Sequence, residues 1–370
     1  MNAYIIGNYS PLNAKSMFLY ARLLKRVLKN NKYNPLILQP PVILNKFNFN
    51  NELIHKWLGY IDNYILFGFY LLFKIKKNDL VHICDHSNAL LYAFIKTKNV
   101  IITCHDLTHI NLIDDDKFYK LTFNGKLFQK IILYNLNKFR TVLCVSQHTK
   151  NDLIKKISIK KKKIYAVHNP LNQNFFPVAL KNKKKFLDKK KIVFKYFLHV
   201  GSNAWNKNKL NLIKIFYEFE KISKNTNHKL ILIGSGISND LNNLIIKLNL
   251  KKKILNFKDV SHNDLCTFYS AAECLIFPSI KEGFGWPIIE AQKCGCPVFT
   301  TDKAPMNELG LDSVYYIDPF NSKKSAFIIK KKLNHRNLII KKGFINIDRF
   351  DFNRFSKKMI KIYNNILIEK

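Results

Sequence analysis

The stretch "KEGFGWPIIEAQKCGCPV", residues 281–298, carries two glutamates, Glu282 and Glu290, with seven residues between them. Before it runs "ECLIFPS" (273–279), a short apolar segment bounded by turn residues, as expected of a buried strand. "IKEGFGW" then reads as the loop at the strand's carboxyl end. Pro287 suits the first position of a helix, since its missing N–H would be unpaired there in any case. "IIEAQKC" reads as that helix, Gly295 as its terminator and "CPVFTT" as the next strand. A strand-loop-helix-strand unit belongs to an open α/β sheet, and such sheets bind ligands at the edge where this loop lies.

The residue types in the loop point to a ligand with phosphates and hydroxyls. A helix start offers unpaired N–H groups and the positive end of the helix dipole, which suit phosphate. Gly283 and Gly285 leave room for the backbone to approach a ligand. Two carboxylates nearby accept hydrogen bonds from hydroxyl groups. Phosphate together with several hydroxyls describes a nucleotide-sugar, with Glu290 reaching a ribose and Glu282 facing the sugar.

The same alternation of short apolar runs and helical spacing extends along the chain. "AYIIG" (3–7), "PLILQP" (35–40), "DLVHIC" (79–84), "NVIITCHD" (99–106) and "TVLCVSQ" (141–147) are strand candidates. After the polar, lysine-rich stretch 169–191, which reads as a linker, come 192–201, 228–234, 253–260, 273–279, 297–301 and 313–318. Alternating strands and helices predict parallel sheets with helices on both faces. The expected architecture is α/β, with two Rossmann-like doubly wound domains over 1–180 and 181–349. An amphipathic helix over 350–370 would pack back across the first domain.

These motifs resemble retaining glycosyltransferase family 4, which has the GT-B fold. The resemblance is closest to a bacterial subgroup whose segment reads "EGFGWP.IEAQ", and it continues through "APMNELG" (304–310) and "YYIDP" (315–319). It implies two domains facing across a cleft and sugar transfer with retention. The donor would be a nucleotide-sugar and the acceptor a saccharide or lipid-linked saccharide of a bacterial envelope polysaccharide or lipopolysaccharide. It also implies no metal and no further cofactor.

By the same resemblance Glu282 lies beside the donor sugar and Glu290 binds the ribose. The amides of Phe284 and Gly285, with Gly283, meet the sugar and diphosphate. Gly201 followed six positions later by Lys207 matches the family's diphosphate-binding pair, a fixed cation stabilising the leaving group. Many members place arginines where this chain has Ser202 and Asn206, which leaves Lys207, helped by Lys209, with more to do. Gly234 and Val260 fall in segments that surround the nucleotide. His105 matches a histidine facing the donor sugar, Asp106 orients its loop, and Ser16 begins a helix on the acceptor side. The catalytic expectations are thus His105, Glu282 and Lys207. The double glycine that many members carry in the first loop is missing.

Composition bounds the rest. The 62 basic and 25 acidic residues give a net charge of +37, which attracts polyanions, anionic lipid among them. Abundant Lys, Asn, Ile and Phe together are equally the mark of AT-rich coding. Nucleic-acid binding would rest on charge alone, since no interleaving of basic and aromatic residues stands out. The seven cysteines form no CxxC pair and read as buried thiols of a cytoplasmic protein. The aspartates of "IDDDK" (113–117) read as a loop and not as a metal site. "MNAYIIGNYS" reads as a first strand and not as a signal peptide. "YILFGFYLLF" (64–73) is about half the length of a membrane-spanning helix and reads as a buried helix, with a shallow membrane-facing helix as the alternative. Peripheral contact with an anionic membrane is the corresponding expectation for location. A non-catalytic GT-B scaffold subunit, or a related phosphorylase or epimerase, is the competing functional class.

Overall fold

A computed structural model describes residues 1–12, 15–31, 33–47, 51–114, 119–158, 162–171, 174–223 and 227–368. The chain forms two compact units. One comprises Met1–His168 with Asn353–Lys370, the other Asn169–Phe352. Each holds a six-stranded parallel sheet.

The first sheet contains β1 (Asn2–Ile6), β2 (Asn34–Leu38), β3 (Leu80–Ile83), β4 (Val100–Cys104), β5 (Thr141–Cys144) and β6 (Lys163–Ala166), in the order β2-β1-β3-β4-β5-β6. The second contains β7 (Lys195–Gly201), β8 (His228–Gly234), β9 (Ile254–Phe257), β10 (Cys274–Phe277), β11 (Val298–Thr301) and β12 (Tyr315–Ile317), in the order β12-β11-β10-β7-β8-β9. Strands β3, β4, β5, β10 and β11 are buried along their whole length, which is why they read as unbroken apolar runs. All seven cysteines are buried and unpaired.

The strand order decides where ligand-binding loops gather. In each sheet the chain starts near the middle, builds to one side, then crosses to the other. The reversal falls between β1 and β3 in the first unit and between β7 and β10 in the second. Adjacent helices diverge there, so the loops leaving those strands lie side by side around a crevice.

Four local expectations change. Strand β6, "KIYA", is a short, partly exposed edge strand whose apolar run, 164–167, is only four residues long between lysines and a polar segment, so its strand signal is weak. Residues 180–189, read as linker, form a helix, Leu180–Lys189, whose Phe186 meets the Phe268 ring edge-on at 5.0 Å. Through such contacts this segment belongs with the second unit, and the division falls after His168 instead of near residue 180. The segment 64–73 is helical but buried on one side only: Phe67 and Leu71 are covered, while Phe69, Tyr70 and Phe73 are exposed. Among the described residues no helix is long and apolar enough to cross a membrane.

The helix Phe352–Ile368 packs within the first unit through Tyr363, whose hydroxyl lies 2.7 Å from His82 Nδ1. His82 Nε2 is 2.7 Å from the Thr103 hydroxyl, and Tyr20 lies 3.1 Å beyond it. Burial, reinforced by His105, lowers the pKa of His82 to about 3, so this buried chain of polar groups stays neutral.

Gly234 closes β8 opposite Gly201 with φ +125°, and a Cβ there would stand 2.5 Å from the Gly201 carbonyl oxygen. Neither backbone can yield without breaking the sheet. Gly234→Ala is expected to destabilise the second unit by about 1–3 kcal/mol, measured as a lowered denaturation midpoint. An unchanged midpoint would contradict the strand-end geometry.

Candidate active site

The loops after β7 and β10 are stitched together by asparagines. The Ile280 amide donates to the Asn206 carbonyl at 2.9 Å, and the Asn206 side chain donates to the Lys281 carbonyl at 2.8 Å. Asn208 donates to the Pro278 carbonyl at 3.2 Å. Asn208 has φ +56° at the mouth of the helix Lys209–Ile222, a left-handed conformation that asparagine tolerates better than most residues. Lys207 sits between these two anchors.

Its ammonium reaches Glu282 Oε1 at 2.6 Å, joining residues 75 positions apart. The side chains are 19% and 9% exposed, so the pair is partly withdrawn from water but open to a ligand. A pair of this kind keeps more of its attraction than one on the open surface.

Behind it lies His199, fully buried, with Nδ1 against the Ile276 carbonyl at 2.9 Å. A carbonyl only accepts, so the proton resides on Nδ1 and Nε2 carries a lone pair. Burial lowers the His199 pKa to about 3, so the imidazole adds no charge. Lys209 is buried too and donates to Asn203 Oδ1 at 2.9 Å. Burial, then the neighbouring Lys207, lowers its pKa to about 8. The strong cation expected of Lys207 therefore has a weaker one beside it.

The helix expected after the glycine-rich loop runs Trp286–Lys293 and starts one residue earlier than its proline suggests. Gly285 is its N-cap at φ +113°. A Cβ there would meet only ordinary contacts, so the backbone angle and not lack of space demands glycine. Gly295, at φ +74°, ends the helix. The Phe284 side chain is buried, its ring 5.2 Å from Trp286 and 6.0 Å from Phe350. Glu290 accepts a hydrogen bond from the buried Tyr269 hydroxyl at 2.9 Å. Part of Glu290 remains exposed, yet its carboxyl is crowded by protein. That loss of hydration raises its pKa to about 7, against the opposing pull of the Tyr269 hydrogen bond. Gly201 and Gly234 end neighbouring strands, Val260 follows β9, and residues 282–285 follow β10. The expected donor-binding positions thus share the carboxyl edge of the second sheet.

In the first unit His105 and Asp106 follow β4. His105 Nε2 is 2.9 Å from the Cys84 carbonyl, which places the proton there and leaves Nδ1 as an acceptor. Burial holds its pKa below the usual value, with Asp85 pulling upward. Asp106 accepts from the Thr108 amide at 2.8 Å and so shapes its own turn. Ser16 is exposed in the first turn of the helix Lys15–Lys29. Asn8, just beyond β1, donates to Asp85, just beyond β3, at 2.8 Å, a hydrogen bond across the other topological reversal. Burial alone would raise the Asp85 pKa, but His86 and His105, with the Ser87 amide and Asn8, hold it below the usual range. No sequence motif gives Asn8, Asn206 or Asn208 a role; the available signal is that Asn8 closely follows β1 and that Asn206 and Asn208 flank Lys207 between β7 and the next helix.

Among the described residues no three His, Cys, Asp or Glu side chains stand together as a metal site. Asp114 instead pairs with Lys156 at 3.0 Å; Asp115 and Asp116 lie outside the described residues.

Residues 180–342 match the family model "Glycosyl transferases group 1", and residues 50–175 match "Glycosyltransferase Family 4". The chain belongs to the family 4-like glycosyltransferases. Its fold is GT-B. This glycosyltransferase is 28% identical to the O-antigen chain mannosyltransferase RfbU of Salmonella typhimurium over 262 residues, 70% of this chain and 66% of that relative's own length. Sucrose-phosphate synthase from Thermosynechococcus elongatus superposes with a TM-score of 0.78 at 16% identity, covering 100% of both chains. Anabaena Alr3699/HepE, solved in complex with UDP-glucose, superposes with a TM-score of 0.76 at 15% identity, covering 99% of this chain and 100% of the other. At such identities the two structures speak to the fold.

Proposed function

We propose that this glycosyltransferase moves a sugar from a nucleotide-sugar to a saccharide or lipid-linked acceptor of a bacterial envelope polysaccharide, with retention and without a metal. The observation that carries the proposal is the Lys207–Glu282 pair at the reversal point of the second sheet, next to a glycine-capped helix. Cation, carboxylate and the start of a glycine-capped helix together match a sugar diphosphate. Relatives that act on O-antigen chains and a GT-B neighbour solved with UDP-glucose support the acceptor and donor classes.

In the reaction the bond between the anomeric carbon and the diphosphate oxygen breaks, and its electron pair leaves with the diphosphate. The acceptor hydroxyl bonds to the same face of that carbon, and its proton passes to the departing phosphate oxygen. Lys207 compensates the charge that builds on the leaving group. Glu282 accepts hydrogen bonds from donor-sugar hydroxyls, Glu290 from the ribose, and the amides of Gly283, Phe284 and Gly285 meet the diphosphate. His105 Nδ1 accepts from a sugar hydroxyl. Ser16 and Asp106 serve the acceptor side, and Gly201, Gly234 and Val260 border the nucleotide. The protein works in the cytoplasm, with peripheral contact to the inner face of the membrane.

A thermal-shift panel of uridine and guanosine diphosphate sugars tests the donor class. A ligand present at a hundredfold excess over its Kd stabilises by about 2.7 kcal/mol. One or more members of the panel are expected to raise Tm and to support transfer in the presence of EDTA. A flat panel, together with no transfer from any member, overturns the proposal.

A further inference from the structure

Helical segments Glu52–Tyr60, Ile61–Leu66 and Phe67–Lys74 follow one another without a break, and the middle one is a π-helix. Leu53, Trp57, Ile65, Phe69 and Phe73 are all exposed, Phe73 to 85%. Their numbers differ by multiples of four. Four residues overshoot one α-helical turn by about 40°, so a ladder at this spacing drifts around a plain α-helix. The wider π turn rotates less per residue and counteracts that drift. The apolar residues therefore stay in one stripe about 30 Å long.

The helix Phe123–Leu136 carries a second stripe. Phe123 is 82% exposed, and Leu127, Ile131 and Tyr134 are exposed as well. A chain of rings joins the two helices: Trp57 lies 5.9 Å from Tyr60, and Tyr60 stacks on Phe128 at 5.2 Å. Both stripes thus belong to neighbouring helices of the first unit.

Charge on these elements is predominantly positive. Lys56, Lys74, Lys76 and Lys77 are exposed along the first, and Lys120, Lys130 and Lys138 along the second. Residues 119–140 contain no acid, and residues 53–78 contain one, Asp62. Asp62 is fully buried and accepts from Tyr9 and the amides of Ile43, Leu44 and Asn45. Glu52, which begins the first helix, is the other acid of that element, so the exposed lysines outnumber the carboxylates on both elements.

We infer that this face docks on an anionic lipid surface, with the aromatic and aliphatic stripes entering the interface and the lysines meeting phosphate headgroups. Apolar insertion and attraction of each flanking cation to an anionic leaflet act together in such binding. A second copy of the same face would bring lysine against lysine, which disfavours self-association as the cover. The inference stands on the first unit's surface and does not depend on which donor or acceptor the enzyme uses.

Sedimentation of the full chain with vesicles tests it. Binding is expected to phosphatidylglycerol–phosphatidylcholine vesicles and not to phosphatidylcholine alone, weakening as salt rises. The Phe69→Ser/Phe73→Ser variant keeps every charge of the chain and is expected to bind about tenfold or more weakly. Lys74→Glu/Lys76→Glu/Lys77→Glu is expected to lose binding at moderate salt. Val193→Ser/Ile345→Ser, which removes exposed apolar residues of the other unit, is expected to bind as wild type. Turnover with a soluble acceptor stays unchanged in all three. The inference is overturned if the wild type ignores anionic vesicles at low salt, or if the Phe69→Ser/Phe73→Ser variant binds as well as the wild type. A wild-type dimer made monomeric by Trp57→Ser, without vesicle binding, also overturns it.

Discussion

Lys207→Ala is expected to lower kcat about 10²–10³-fold while changing donor KM much less. The expectation follows from the role proposed for the ammonium before and during transfer. In the resting protein its charge is matched by Glu282 at 2.6 Å. As the diphosphate departs, negative charge grows on the leaving group, and a cation already fixed in place lowers the barrier without reorganising. Asn206 and Asn208 do the fixing, because their side chains tie the flanking backbone to the β10 loop. Lys209 is a poor substitute, being buried, bonded to Asn203 and lowered in pKa to about 8. Lys207→Arg keeps the charge but changes its shape, and partial recovery is expected. Because Lys207 and Glu282 touch, the Lys207→Ala/Glu282→Gln double variant should lose less than the product of the two single losses. A Lys207→Ala enzyme within threefold of wild-type kcat on a competent donor would remove Lys207 from the mechanism.

That pairing also marks the limit of what the sequence discloses. Glu282 and Lys207 are each visible in local motifs, but 75 residues separate them. Their contact depends on β7 and β10 being neighbours, and strand order is a property of crossover paths that no local pattern encodes. The same holds for Asn8 and Asp85, brought together because β1 adjoins β3. Central strands were legible because burial on both faces enforces continuous apolar runs. "VIITC" and "CLIF" are wholly buried, whereas "KIYA" at the sheet edge is partly exposed and its apolar run is short. The lysine-rich 180–189 resembles a linker in sequence because solvent wets most of that helix, and few side chains anchor it, among them the Phe186 ring and Lys183, which donates to the Ser270 carbonyl at 3.3 Å. In 64–73 the uniform apolarity concealed the difference between the face that packs and the face that does not. At Gly285 the positive φ is what calls for glycine, and composition cannot distinguish that from the need for space that the sequence suggests.

Glu290 should make donor binding depend on pH in a direction that the structure sets. In the ligand-free protein its pKa lies near 7, raised by loss of hydration and restrained by the Tyr269 hydroxyl. Ribose hydroxyls that donate to the carboxyl favour its charged form, so binding must expel the proton wherever the free site still holds it. Donor affinity is then expected to strengthen by up to about tenfold per pH unit between pH 5 and 7, and to level off above. An intact nucleotide-sugar is the right probe, because its bridging diphosphate has no proton to lose in that range. Glu290→Gln should flatten the profile, and Glu290→Ala should weaken binding about 10–100-fold at pH 8, the worth of hydrogen bonds to a charged group. Stability carries the opposite sign. A carboxyl whose folded pKa is raised keeps its proton while the unfolded chain has already released it. The ligand-free protein therefore loses stability through this group as pH climbs from about 4.5 to about 7. Glu290→Gln should consequently melt higher than the wild type at pH 8 and alike at pH 4. A site that binds donor more weakly yet folds more stably once its acid is neutralised is holding that acid for the ligand. If calorimetry instead found the wild type's donor affinity flat across pH 5–8, Glu290 would be no ribose ligand, whatever its variants did to activity.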